Sequence, residues 1–223
     1  MFELEHTELS EKVYQLLKKM ILNREFVGGQ RLDLRDLALK MNISRTPLKE
    51  AVNRLVLEGL MEVKPRSGTF VTTLAITDID QVTEIRLMIE KWCVSHLTPP
   101  KAQELAMTLE RILENADAPL TADPFDFQGF LELDVKFHIE IVKIGGNPRM
   151  LEHYKSLNSF LHAARVFFFQ SSDRSDAGHV EHKNIVDAIK RFDLQEASTK
   201  LEEHILKSQS IMIEILKNSG GVL

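Results

Sequence analysis

The strongest constraint in this sequence is the order in which its hydrophobic period changes between Asp33 and Thr72. Leu34, Leu37, Ala38 and Met41 recur at helical spacing, and after Asn42-Ile43 the same period returns in Leu48, Val52 and Leu55. Gly59 ends that second run. Leu60-Met61-Glu62-Val63 and Thr69-Phe70-Val71-Thr72 then alternate as two short strands around Arg66-Ser67-Gly68, a hairpin. Asp33 and Ser44 stand where N-caps belong, and Pro47 falls in the first turn of its helix, where a missing N–H is tolerated. Upstream, Ser10 is placed to cap a first helix with Val13, Leu16, Leu17, Met20 and Ile21 inward, which Phe26-Val27-Gly28-Gly29 breaks. Two short helices across a tight turn followed by a hairpin form the plan of a winged helix-turn-helix, here predicted for residues 1–74.

Beyond Leu74 the pattern is helical throughout. Helices are predicted at 78–97, 100–116, 125–144, 148–170, 179–191 and 194–217, separated by Pro99-Pro100, Ala118-Pro119 through Pro124, Gly145-Gly146-Asn147-Pro148, Ser171-Ser172-Asp173 and Phe192-Asp193. The expected fold is therefore mainly α: the winged module, then an all-α six-helix bundle over 75–223.

Charge supports a DNA-reading role for the first module only. The chain carries a net charge of −5, yet Arg31 to Arg66 holds eight Lys/Arg against five Asp/Glu, leaving 20 basic and 28 acidic residues elsewhere. A basic segment on an acidic body suits a head that meets phosphates and a body that does not. In the third helix Ser44, Arg45 and Lys49 lie in or near the N-terminal turn, and Arg45 and Lys49 share the face opposite the apolar one. Arg45 has the fork geometry for guanine O6 and N7; Lys49 suits a phosphate or a guanine as a point charge. Arg35 on the preceding helix is placed to meet the backbone or groove edge, and the wing tip Lys64-Pro65-Arg66-Ser67-Gly68 to reach an adjacent groove. No run approaches the ~18 apolar residues of a membrane span, the start is acidic rather than signal-like, and the single cysteine, Cys93, reads as a buried thiol. A soluble cytoplasmic protein without membrane association is the expectation.

The bundle carries a second constellation. Asp134 and His138 are spaced i, i+4 on one helical face, and His182 and His204 follow on two later helices. One carboxylate and three imidazoles from three helices form a candidate set for a divalent metal inside a bundle, with coordination positions left open. The remaining histidines, His6, His96, His153, His162 and His179, read as surface or satisfied core residues.

Residues 13–72 resemble the GntR family of regulators, through Gly29-Gln30-Arg31-Leu32, Leu37-Ala38, Ile43-Ser44-Arg45-Thr46-Pro47-Leu48-Lys49-Glu50-Ala51, Glu58-Gly59-Leu60 and Gly68-Thr69-Phe70-Val71. The resemblance implies a homodimer on palindromic operator DNA and assigns contacts to Arg35, Arg45, Thr46, Lys49 and the wing tip (Arg66, Ser67, Gly68). Lys49 stands where the family usually has arginine. Residues 79–211 resemble the all-helical FCD ligand-binding domain of the FadR branch, and more closely its six-helix VanR-like subgroup, through Arg86 with Glu90, Asp134-Val-Lys-Phe-His138, Gly146-Asn147, Glu181-His182 and His204. That resemblance implies a divalent metal, zinc or nickel, on Asp134, His138, His182 and His204, and a small carboxylate effector bound with its help. Arg86 is then a candidate partner for the effector, and Glu181 a candidate to orient an imidazole; from position on the fourth helix alone, Asn158 and Arg165 are further candidates to face the cavity. The expected function is a DNA-binding transcription regulator, a repressor controlled by that acid, and not an enzyme. The alternatives are a metal-dependent hydrolase with a DNA-binding appendage and a regulator whose metal is purely structural.

Overall fold

The computed structural model describes residues 3–23, 25–157 and 172–218. In chain order these are α1 (Glu3–Leu22), β1 (Arg31–Leu32), α2 (Leu34–Lys40), α3 (Arg45–Leu57), β2 (Met61–Lys64), β3 (Gly68–Val71), α4 (Ile76–Ser95), α5 (Pro99–Thr121) and α6 (Phe127–Ile144). Helix α7 is described over 148–157, followed by α8 (Ser172–Lys190) and α9 (Leu194–Asn218).

The helix-turn-helix is built by its caps. The Asp33 carboxylate accepts the Arg35 and Asp36 N–H groups at 2.8 and 3.2 Å and opens α2. Asn42 closes it in the left-handed region, φ 53°, where Asn is better tolerated than most residues. The Ile43 N–H then reaches back to the Ala38 carbonyl at 3.0 Å. Gly59, φ 75°, does the same for α3, with Gly59 N–H donating to Val56 and Leu60 N–H to Leu55 at 3.0 and 2.9 Å. Pro47, Leu48, Ala51, Val52 and Leu55 form the inward face of α3. Ser44 occupies the N-cap position, but its side chain makes no capping bond.

Four sequence-based expectations are corrected. Helix α1 begins at Glu3 rather than at a Ser10 cap, because Glu3 to Leu9 contains no glycine or proline to stop it. The wing is a three-stranded antiparallel sheet, order β1-β3-β2, rather than a bare hairpin: Arg31 and Leu32 pair with Phe70 and Thr69. A two-residue strand has no period to read. Helix α5 runs through Pro119 to Thr121 instead of stopping at 116, with the proline confined to its last turn. Helix α8 starts at Ser172, seven residues before the predicted 179, so Ser172 and Asp173, read as breakers, fall inside its first turn.

Two apolar cores result. One holds α1, α2, α3 and the sheet, through Tyr14, Leu17, Leu48, Leu55, Leu60 and Val71. The other fills the bundle, where α4 packs on α9 and α6, and α5 on α6 and α8. They are not independent. Leu131 of α6 is buried in the N-terminal core, with Phe127 and Val135 packed against it, while Phe137 and Ile141 of the same helix are buried in the bundle core. Lys18 of α1 reinforces this seam: nearly buried, it donates to Tyr14, to Glu58 and across to Gln128 of α6, at 2.9, 3.0 and 3.2 Å. Among the described residues no helix is long and apolar enough to cross a membrane.

Candidate metal centre and nucleic-acid interface

Helix α6 presents Asp134 and His138 one turn apart toward the bundle interior, α8 presents His182 and α9 His204. The four predicted ligands come together, one donor atom from each lying within 4.8 Å of the others. His138, His182 and His204 are buried, and Asp134 is half-buried. The His204 Nε2 is 3.1 Å from His182 Nε2 and 3.3 Å from His138 Nε2, and His182 Nε2 is 3.7 Å from an Asp134 carboxylate oxygen.

The outer nitrogens decide what those inner ones can do. His138 Nδ1 donates to Glu90 Oε2 at 2.7 Å and His204 Nδ1 donates to Glu181 Oε2 at 2.8 Å. With Nδ1 carrying the proton, a neutral imidazole points a bare lone pair from Nε2. Two such lone pairs face each other across 3.3 Å between His138 and His204. That contact repels unless a cation sits between, and roughly 3.3 Å is the separation of two nitrogens held ~2.0–2.1 Å from a tetrahedral ion. The donor set and its carboxylate-backed imidazoles fit a divalent metal.

Charge around the centre is balanced by residues that were not singled out as ligands. Burial alone would raise the Glu90 carboxyl, but the Arg86 guanidinium beside it, then His138 and the hydrogen bond from Tyr154, hold it well below the usual carboxylate range. Arg86 Nε donates to Glu90 at 2.8 Å and the Tyr154 hydroxyl at 2.6 Å. Burial pushes the His138 imidazole down to about 4 despite Glu90, so it is neutral near pH 7. Glu181, which burial would raise, is held at about 2 by hydrogen bonds from His204, Lys207 and Arg174. The Phe137 ring stacks on His182 at 4.0 Å between centroids and shields that imidazole.

Of the predicted effector residues, Arg86 is 2 % exposed and keeps one terminal nitrogen, Nη2, without a partner among the described residues. Asn158 and Arg165 lie outside the described residues. Beside Asp134 and His204 is a cavity of about 30 Å³, walled by Phe127, Phe130 and Leu131 and by Arg174, Ser175 and Ser208. Arg174 was missed at the sequence level. It grips Glu181 through two nitrogens at 3.2 and 3.1 Å and Ser208 at 2.9 Å, a placement set by tertiary packing. His179 stays out of the cluster and bonds Asp117 at 2.9 Å.

On the N-terminal module Arg35, Ser44, Arg45, Thr46, Lys49, Arg66 and Ser67 are all exposed, and Gly68 is half-buried at φ 125°. Among the described residues the side chains of Arg35, Arg45, Lys49 and Arg66 take part in no hydrogen bond or ion pair, whereas those of Lys40, Arg54 and Lys64 each pair with a carboxylate. The unpaired cations lie on α2, on α3 and on the wing, the elements of this plan that meet DNA.

Comparison with known proteins agrees with this division. The family described as FCD domain matches residues 81–207, and bacterial regulatory proteins of the gntR family match residues 9–71. The chain is 27% identical over 205 residues to the uncharacterized HTH-type transcriptional regulator YdhC of Bacillus subtilis, covering 92% of this chain and 89% of that one. It is likewise 27% identical to the HTH-type transcriptional repressor NanR of Escherichia coli K12, covering 89% and 82% of the two chains. A GntR regulator from Rhodococcus sp. RHA1 shares the fold with a TM-score of 0.65 at 19% identity, covering 92% of this chain and 97% of that chain. The Zn2+-bound FCD domain of TM0439 superposes with a TM-score of 0.53 at 21% identity, covering 64% and 96%.

Proposed function

The chain belongs to the gntR family of bacterial regulatory proteins that carry an FCD domain, and from that premise, which makes it a DNA-binding transcription regulator and not an enzyme, we propose that it is a repressor controlled by a small carboxylic acid bound at a divalent metal. Asp134, His138, His182 and His204 hold the metal, zinc or nickel. The observation that carries this reading is the pair of facing lone pairs on His138 and His204, each fixed by a carboxylate behind it. The zinc-bound FCD domain of TM0439 and the repressor role in the printed name of NanR support it by analogy.

Asp134, His138, His182 and His204 would give a bound divalent ion a net positive centre, whose open positions would suit carboxylate oxygens. The chain's own residues do the rest. Arg86 Nη2, buried and without a partner among the described residues, offers a charge-assisted hydrogen bond to a second oxygen of the acid. Phe127 and Leu131 wall the cavity and also pack on the N-terminal core, so an acid bound there bears on the residues on which the DNA-reading module rests. That differential fit is what allows a ligand to shift DNA affinity. Arg45 and Lys49 read base edges and phosphates in the major groove, with Arg35, Ser44, Thr46 and the wing residues Arg66, Ser67 and Gly68 beside them. A palindromic operator requires two heads, and the second copy is taken to dock on α4, where Ile85, Met88 and Trp92 expose an apolar stripe at positions i, i+3 and i+7.

The test is elemental analysis of the purified protein with a thermal-shift series of small carboxylic acids, on wild type and on His138→Ala. One divalent ion per chain and an acid that raises the melting temperature of wild type alone are expected. A bound ion with no response to any acid would instead make the metal structural, and no ion at all would sink the proposal.

A further inference from the structure

The DNA-facing surface contains one more unpaired cation than the family pattern assigned. Arg31 lies on β1, exposed, and is held in place by the pairing of that strand with β3, where Arg31 stands opposite Phe70. Its side chain crosses the foot of the wing: a Cβ added at Gly68 would come within 2.9 Å of Arg31 Nε and 3.6 Å of its Cζ. Arg31 and Arg35 line one groove between the start of α2 and the wing, together with Asp33, Gly68 and Thr69. The acidic member does not neutralise them by contact, since the Asp33 carboxylate is taken by the Arg35 and Asp36 backbone N–H groups. Among the described residues the Arg31 side chain forms no ion pair or hydrogen bond.

We propose that Arg31, with Arg35, is a binding site for one DNA backbone phosphate at the foot of the wing, which fixes how deeply the wing tip sits against the duplex. A guanidinium is a planar fork that matches a phosphate bidentately and is weakly hydrated enough to give up water for it. Strand β1 makes the position rigid relative to Arg66, because both ride on the sheet that contains β3. Phosphate contacts of this kind set register and orientation and carry no sequence information. Gly68 has a second task on this account: beyond allowing φ 125°, it leaves the space that the Arg31 guanidinium occupies.

The test is the salt dependence of binding of the full-length protein to a mixed-sequence DNA duplex of about 30 base pairs, between about 50 and 200 mM salt. The variants are Arg31→Gln, which keeps the stem over Gly68 and removes the charge, Arg31→Lys, and Arg111→Ala as an exposed charge loss on α5. The slope of log K against log salt should become shallower by about 0.9 per bound protomer in Arg31→Gln, and stay at the wild-type value in Arg31→Lys and Arg111→Ala. A wild-type slope in Arg31→Gln overturns the phosphate contact. So does weaker binding at unchanged slope with a lowered melting temperature, which would make Arg31 a brace for the wing and nothing more. An equal change in Arg111→Ala would reduce the effect to overall charge.

Discussion

The residue that organises the centre is Glu90, which holds His138, Arg86 and Tyr154 at once inside the bundle. Removing its charge in Glu90→Gln leaves the buried Arg86 guanidinium uncompensated, a change expected to cost about 3–5 kcal/mol in urea unfolding. A loss under about 1 kcal/mol would mean that water reaches Arg86. The same change should weaken metal binding roughly 10- to 100-fold, read by competition with a chelating dye. His138 gives a pH dependence of definite sign. Its folded value of about 4 lies below the ordinary 6.5, so in metal-free protein the unfolded chain takes up the proton first. The stability from the neutral imidazole is complete above pH 6.5 and is lost as pH falls toward 4. The urea midpoint should drop across that window in wild type and drop less in His138→Gln. That the four candidate ligands could converge was legible in the sequence, since Asp134 and His138 share a helical face by spacing and His182 and His204 follow on later helices. Glu90 appeared there only as a family mark beside Arg86, and Tyr154 and Arg174 not at all, because their partners stand 48 to 64 residues away for Glu90 and Tyr154 and up to 34 for Arg174.

At the scale of elements, caps rather than periodicity set where helices stop. Four ends use a residue in the left-handed region: Asn42 after α2, Gly59 after α3, Gly146 after α6 and Phe192 after α8. The two glycines are there without steric penalty, so Gly59→Ala should destabilise the N-terminal module by about 1–2 kcal/mol, measured by thermal unfolding. No loss would mean that the turn after α3 re-forms in another conformation. The three-turn α3 was readable because Asn42, Ser44, Pro47 and Gly59 punctuate it. Strand β1 was not, since two residues carry no alternation, and α8 was not, because Ser172 and Asp173 have the same composition at a helix start as in a loop. Pro119 misled in the other direction: it removes one i→i−4 bond to the preceding turn, yet α5 continues through it to Thr121.

For the whole molecule, the proposed dimer is tested at the exposed stripe on α4. Met88 and Trp92 are 74% and 47% exposed, and Trp92→Glu should shift the protein from dimer to monomer in sedimentation and weaken operator binding, while leaving the bundle folded. An unchanged sedimentation coefficient would move the interface elsewhere. The mainly helical fold with its small wing was legible in the sequence, but that α6 contributes to both cores was not. Periodicity assigns a helix one apolar face, and the face of α6 changes partners midway, from the N-terminal core at Leu131 to the bundle core at Phe137. This has a practical meaning for anyone who wishes to transplant the DNA-reading head onto a foreign sensor. A cut after the wing would leave an open socket where Phe127, Leu131 and Val135 had been, and a lysine, Lys18, deprived of Gln128. A chimera that keeps this head intact must therefore borrow two turns of helix from the middle of the chain, so the natural unit of exchange is discontinuous in sequence.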